Sequence, residues 1–228
     1  MINQTTIAGI DTIHVTGQSD RNAIVLLHGY GANYHDLLSL QKELDPEETS
    51  HWYFPNGIES IPSMPGYEGR AWFQIDQQFI NVQLGGEGSV DNRYKDVTLA
   101  TERIKSLYDE ISSKHENVFM GGFSQGAILA TNLAINFDVK LAGLVILSGA
   151  YLANESWQEN TQTQADLPIF QSHGMQDMVL PFVLAEALSK ILNQVCKHHK
   201  FHSFVGGHEI PRPILLELDK FLKNHHAY

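Results

Sequence analysis

Cysteine occurs once, at Cys196. No intramolecular disulfide can form, and a reducing, cytoplasmic setting is the expectation. Basic residues are scarce: 15 Lys and Arg stand against 26 Asp and Glu, a net charge of −11. That balance argues against nucleic acid or an anionic membrane surface as partner, and leaves an apolar acyl substrate open. No run reaches the ~18 apolar residues of a membrane span, so stable membrane insertion is not expected. Met1 to Asp20 lacks the basic-then-apolar pattern of a secretory leader. There is no G-x-x-x-x-G-K-[ST] phosphate loop and no dinucleotide fingerprint, so no nucleotide cofactor is expected. His198-His199 and His225-His226 are adjacent pairs, without the i, i+4 spacing that puts two ligands on one helix face. With a lone cysteine besides, neither a metal nor any other cofactor is expected.

What is present suits one α/β domain over residues 1–228, with 43% hydrophobic and 18% charged residues. Apolar runs and helical spacings alternate, which predicts a mostly parallel sheet with helices on both faces. Strands are expected at Ile10 to Thr16, Ala23 to Leu27, His51 to Phe54, Val118 to Gly121, Leu141 to Leu147, Pro168 to Ser172 and Lys200 to Val205. Helices are expected at Tyr34 to Leu44, Tyr94 to Lys114, Gln125 to Phe137, Val183 to Lys197 and Pro213 to Asn224. Two long connections break the alternation, Gly57 to Arg93 and Tyr151 to Asp166. Both leave from strand ends, where α/β folds place their sites.

The segment Gly122-Phe123-Ser124-Gln125-Gly126 fits G-x-S-x-G. An apolar strand precedes it and a helix follows, the setting in which a serine is held out on a tight corner. A plain strand-to-helix turn is the alternative. Cys196 lies in a helical stretch and is not expected to be a nucleophile. A serine hydroxyl needs a base, commonly a histidine held by a carboxylate. In this type of enzyme the partners follow in the order acid, then histidine, in loops after strands. Asp177 fits the first place, four residues after His173, with helix capping as its alternative role. Asp166 precedes its strand and is the weaker candidate. His208, in Gly206-Gly207-His208, fits the second among 12 histidines. His14, His35, His51 and His115 come before Ser124, against the order. The amides of Gln125 and of Tyr30, in His28-Gly29-Tyr30-Gly31, are the expected oxyanion donors.

With these residues placed, the chain resembles the phospholipase/carboxylesterase family of α/β hydrolases, which includes the acyl-protein thioesterases. The resemblance rests on Leu27-His28-Gly29-Tyr30-Gly31, on Gly121 to Gly126, on His173-Gly174 with Asp177 and Pro181, on Gly207-His208, and on Arg70 to Asp76 with Trp72-Phe73. It implies an α/β-hydrolase fold without a large cap, and hydrolysis of carboxylic esters or thioesters of acyl chains. The substrate could be a small molecule, a lysophospholipid or an acylated protein. Ser124, Asp177 and His208 match the family's triad, and Tyr30 and Gln125 its oxyanion donors. A homodimer is plausible on the same ground. Ala32-Asn33 and Gln74 depart from the family pattern, which bears on pocket shape. Met64, Trp72, Phe73, Leu152, Met175 and Leu180 are candidate lining of an acyl pocket, with ordinary core packing as the alternative. Two other readings compete: a binding module that keeps the fold without the chemistry, and a narrow small-molecule carboxylesterase.

Overall fold

The computed structural model describes residues 1–61, 68–75, 91–151, 157 and 165–225. Strands β1 (Ile2–Ile7), β2 (Ile10–Val15), β3 (Asn22–Leu27), β4 (His51–Pro55), β7 (Asn117–Phe123), β8 (Gly143–Leu147), β9 (Ile169–Gly174) and β10 (His199–Phe204) build one sheet. A small hairpin of β5 (Glu59–Ile61) and β6 (Gly69–Ala71) stands apart from it. The helices are α1 (Leu38–Leu44), α2 (Asp91–Ser112), α3 (Gln125–Asn136), α4 (Phe182–Val195) and α5 (Arg212–His225).

The large sheet has the order β1-β2-β4-β3-β7-β8-β9-β10. β2 pairs antiparallel with both neighbours, and every pairing from β4 to β10 is parallel. Parallel strands are covered on both faces, so apolar side chains must alternate between two cores. In β3, Ala23, Val25 and Leu27 enter one core, while Ile24 and Leu26 enter the other. In β8, Leu144 and Ile146 divide from Val145 and Leu147 in the same way. The first core takes Ile104 and Leu107 of α2, Ala127 to Ala130 of α3, and Leu188 of α4. The second takes Leu40 and Leu44 of α1 and Leu218 and Phe221 of α5. α3 is buried from Gln125 through Ile135, so the helix behind Ser124 is an internal element.

The expected helices and main strands all appear, shifted at their ends. The exception is α1, which begins at Leu38 rather than Tyr34. Asn33 explains the late start. Its Oδ1 accepts the His35 N–H and its carbonyl accepts the Asp36 N–H, so the chain turns locally before it can wind. β1 was not foreseen. Five of its six residues are exposed, so it carries no apolar alternation to read. Most of the connections from Gly57 to Arg93 and from Tyr151 to Asp166, including Met64 and Leu152, lies outside the described residues. Among those described, no helix is long and apolar enough to cross a membrane.

Candidate active site

The C-terminal ends of β3, β7, β9 and β10 place four loops together. β7 runs directly into α3, and Ser124 is the corner residue, with φ 55 and ψ −119. A non-glycine residue in that region costs about 1–3 kcal/mol and persists only where the surroundings impose it. Here Ser124 N–H donates to the Leu147 carbonyl (2.9 Å), and Ser124 O accepts the Ile128 N–H (3.1 Å). Gly126 is required by close approach, because a Cβ there would sit 2.7 Å from the His28 carbonyl. Ser124 is buried, and Gly29 lies against it: a Cβ on Gly29 would come within 3.3 Å of the Ser124 Cβ.

Asp177 follows β9 in a tight loop. Gly174 allows it, since any Cβ at that position would strike the carbonyls of Gly206 and Gly207. That close approach draws the Asp177 loop onto the His208 loop, fastened by Met175 N–H to Phe204 O (2.8 Å) and Gln176 N–H to Gly206 O (2.9 Å). Asp177 Oδ1 accepts the Val179 (2.8 Å) and Leu180 (2.9 Å) amides. Oδ2 accepts the His208 Nδ1–H at 2.7 Å. The helix-cap role is not realised: α4 is preceded by Pro181 and receives no side-chain cap. The Asp177 side chain is fully buried and that of His208 is 16% exposed. With Nδ1 donating to a carboxylate, the His208 proton is fixed there and Nε2 keeps its lone pair. The His208 ring packs on Phe123, the residue before the serine, with centroids 4.7 Å apart. Ser124 Oγ and His208 are not joined by a hydrogen bond here; such bonds commonly tighten only when substrate is bound.

The Tyr30 and Gln125 amides both lie beside this corner and donate to no acceptor among the described residues. That of Gln125 opens α3, so the positive end of the helix dipole backs it. A feature that sequence reasoning missed is the Gln125 side chain. Its Oε1 accepts the Trp72 N–H (3.0 Å) and its Nε2 donates to the Phe73 carbonyl (2.6 Å). The Trp72 indole donates to the His28 carbonyl (2.8 Å), and His28 Nε2 accepts the Gly57 N–H (2.9 Å). Gly31 N–H to Arg70 O (2.9 Å) and Arg70 N–H to Ala32 O (2.7 Å) complete the attachment. One buried network thus holds the loop after β3, the start of the β5–β6 region, the Trp72 segment and the serine corner. Burial holds the His28 imidazole down to about 4, so it stays neutral and able to accept. The only local signal was Trp72-Phe73 beside glycines.

Of the expected pocket residues, Trp72, Phe73 and Leu180 are buried in the first core and Met175 is 46% exposed. Trp72 and Phe73 also line a small cavity of about 160 Å³ with Ile58, Asp96 and Leu99. Asp166 is exposed, paired with Lys197 at 2.8 Å, and takes no part in the site. Cys196 is buried and its thiol is pushed up to about 11 by burial, the opposite of an activated nucleophile.

A mostly parallel sheet, helices on both faces and a serine at a strand-to-helix corner define the α/β-hydrolase class. A family model described as Phospholipase/Carboxylesterase matches residues 8–226. The chain belongs to the phospholipase/carboxylesterase family. It is 28% identical to acyl-protein thioesterase 1 of Candida albicans, over 93% of this chain and 95% of that protein. It is also 28% identical to a probable carboxylesterase of Oryza sativa subsp. japonica, over 69% of this chain and 67% of that one. Among solved structures, esterase PE8 superposes with a TM-score of 0.77 at 23% identity, covering 93% of this chain and 97% of that one, which supports the fold. The protein is a hydrolase of this esterase and thioesterase kind.

Proposed function

We propose that the protein hydrolyses carboxylic esters or thioesters of acyl chains through Ser124, His208 and Asp177. The observation that carries this reading is the 2.7 Å Asp177–His208 hydrogen bond, buried beside a serine held at φ 55. His208 Nε2 takes the Ser124 proton as Oγ attacks the acyl carbonyl. The carbonyl oxygen gains the charge, and the Tyr30 and Gln125 amides stabilise it. His208 then returns the proton to the leaving alcohol or thiol, and the acyl group stays on Ser124. Water, deprotonated by the same imidazole, attacks this acyl-enzyme and releases the acid. Asp177 holds the imidazole in the required tautomer and stabilises its charged form. Trp72, Phe73 and Leu180 back the acyl side of the site, and Met175 stands at its rim.

The test is labelling with a fluorophosphonate probe, wild type beside Ser124→Ala, with mass spectrometry to locate the adduct. A Ser124 adduct absent from the variant is the expected result. A folded wild-type protein that forms no adduct would refute the reading. A series of acyl esters and thioesters of graded length then assigns the substrate class.

A further inference from the structure

His173 is the penultimate residue of β9, four residues before Asp177, and the mechanism above gives it no task. It is wholly buried. Its Nε2 lies 2.8 Å from the Leu180 carbonyl and 3.2 Å from Asp177 Oδ2, the same oxygen that accepts from His208. Both neighbours are acceptors, so Nε2 must carry the proton. Nδ1 then holds a lone pair; it is buried and makes no hydrogen bond of ordinary geometry, with the Gly149 carbonyl facing the ring without closing one. A buried nitrogen left without a hydrogen bond is costly, and an apolar ring of the same shape would avoid that cost. The acid loop is closed around this ring. His173 Nε2–H donates to Leu180 O, Leu180 N–H donates to Asp177 Oδ1, and Asp177 N–H donates to Gly174 O (3.2 Å).

We infer that His173 is a positioning residue for the Asp177–His208 pair: its Nε2–H clamps the acid loop through Leu180 and faces the carboxylate oxygen that holds His208. This rests on the proposed function and deepens it. The groups packed around the ring are few. Asp177 comes from its own loop, His208 from the loop after β10, Phe182 from α4 with ring centroids 6.1 Å apart, and the Gly149 carbonyl from the loop after β8. Asp177 and the carbonyls of Leu180 and Gly149 favour a charged ring, burial opposes it, and burial is the largest influence, so His173 stays neutral. A neutral N–H beside Oδ2 spreads the negative charge of the carboxylate without competing as a second cation. Its removal leaves more of that charge facing the His208 ring. It also leaves the buried carboxylate less supported. Both effects move the acid limb of activity to higher pH.

The experiment is the rate of fluorophosphonate labelling at Ser124 against pH, for wild type, His173→Phe and His173→Gln. In the phenylalanine variant the plateau should fall about tenfold, as for a lost hydrogen bond in a charged system. Its acid limb should rise by roughly half a pH unit or more. Glutamine, whose amide N–H reaches a similar place, should restore most of both. A packing role alone would change the thermal midpoint and leave the acid limb in place. Near-UV circular dichroism establishes that each variant is folded. A folded phenylalanine variant with the wild-type rate and limb overturns the inference. If that variant does not fold, ¹⁵N spectra of the wild-type histidines decide instead: a proton on Nε2 and none on Nδ1 supports the inference, and a proton on Nδ1 overturns it. Absence of any wild-type Ser124 adduct would refute the proposed function, an outcome distinct from either.

Discussion

The sheet carries a histidine–aspartate pair at each of its two rims, and the two pairs differ in everything that matters for catalysis. At the C-terminal rim, Asp177 is fully buried, takes two backbone N–H bonds and holds His208 at 2.7 Å beside a strained serine. At the N-terminal rim, Asp20 precedes β3, His51 opens β4 and His115 precedes β7. His51 Nε2 reaches Asp20 Oδ1 at 3.1 Å, and His14 and His51 share a 2.8 Å hydrogen bond. His115 Nδ1–H donates to the Asp20 carbonyl (2.7 Å), and its Nε2 accepts the Tyr53 O–H (2.8 Å). This group lines an open cavity of about 370 Å³ with Thr5, Glu110 and Lys114. Yet the Asp20 side chain is 88% exposed. A carboxylate in water neither orients an imidazole tightly nor stabilises its charge strongly. On the proposed reading, a His–Asp contact can serve catalysis only where burial fixes the acid and a strand end presents a serine beside it.

The largest effects should separate the rims. Ser124→Ala and His208→Ala should each lower ester hydrolysis by roughly a thousandfold to a millionfold, and Asp177→Asn by about ten-thousandfold. His51→Ala and Asp20→Asn should leave kcat/KM within about twofold, as expected of substitutions outside the reacting centre. Steady-state kinetics on a p-nitrophenyl ester checks all five. If Asp20→Asn cost as much as Asp177→Asn, the distinction between the rims would collapse.

An intermediate effect belongs to the Gln125 clamp. Gln125→Glu keeps the shape of the side chain but aims an oxygen at the Phe73 carbonyl, where Nε2 now donates at 2.6 Å. The Gln125 donation to that carbonyl is lost and a carboxylate is buried against it, which should cost about 1–3 kcal/mol or more of folding stability. Because the same residue carries the proposed oxyanion amide, kcat should fall about tenfold as well. Denaturant unfolding and kinetics on the same preparation read the two together. A comparable polar contact at the other rim, Asn117 Nδ2 to Asn22 Oδ1 at 3.0 Å, is part-exposed. Asn117→Ala should therefore cost under about 1 kcal/mol and leave kcat unchanged.

The two rims were also unequally legible in the sequence. Around Ser124 the local rules agree: an apolar strand, flanking glycines and a helix point to one corner, and the acid-then-histidine order picks Asp177 and His208 from many candidates. The sheet interior was legible for a related reason, since β3 and β8 must be apolar on both faces. What escaped depends on distant partners. Gln125 reads as a helix residue until Trp72 and Phe73 are seen across 52 residues of chain. His173 reads as part of a turn motif until its ring is found against Asp177. The histidines of the N-terminal rim were set aside by their order alone, and nothing local told that His14, His51 and His115 would stack. His14 meets His51 because β2 runs antiparallel to β4, a pairing that polar, exposed β1 gave no hint of, and His115 joins them from just before β7.

The smallest effect concerns acid stability, to which both rims contribute. Burial holds His14 down to about 4, with His51, His115, the N-terminal amine and Lys114 acting in the same sense. The His28 imidazole, on the catalytic side, is held at about 4 by burial against the opposing Gly29 carbonyl. Each value lies below the ordinary 6.5, so between 6.5 and 4 the folded protein binds fewer protons than the unfolded chain. The stability these groups contribute is whole above pH 6.5 and is lost as pH falls towards 4. Asp45, whose carboxyl is lowered by the Ser50 and Thr49 amides and by the Thr49 and Trp52 side chains against burial, adds its own loss only below about 4. His14→Phe keeps a ring to stack on Tyr53, 4.4 Å away, and removes one titrating member. The variant should therefore show a smaller fall in thermal midpoint between pH 7 and pH 4.5, by a few degrees, with little benefit at pH 8. Activity should decline with acid as in the wild type, because the proposed Ser124–His208–Asp177 site lies at the other rim. If the variant's midpoint fell as far as the wild type's, acid sensitivity would belong to the His28 network instead, and the two rims would be uncoupled from each other in acid as well as in catalysis.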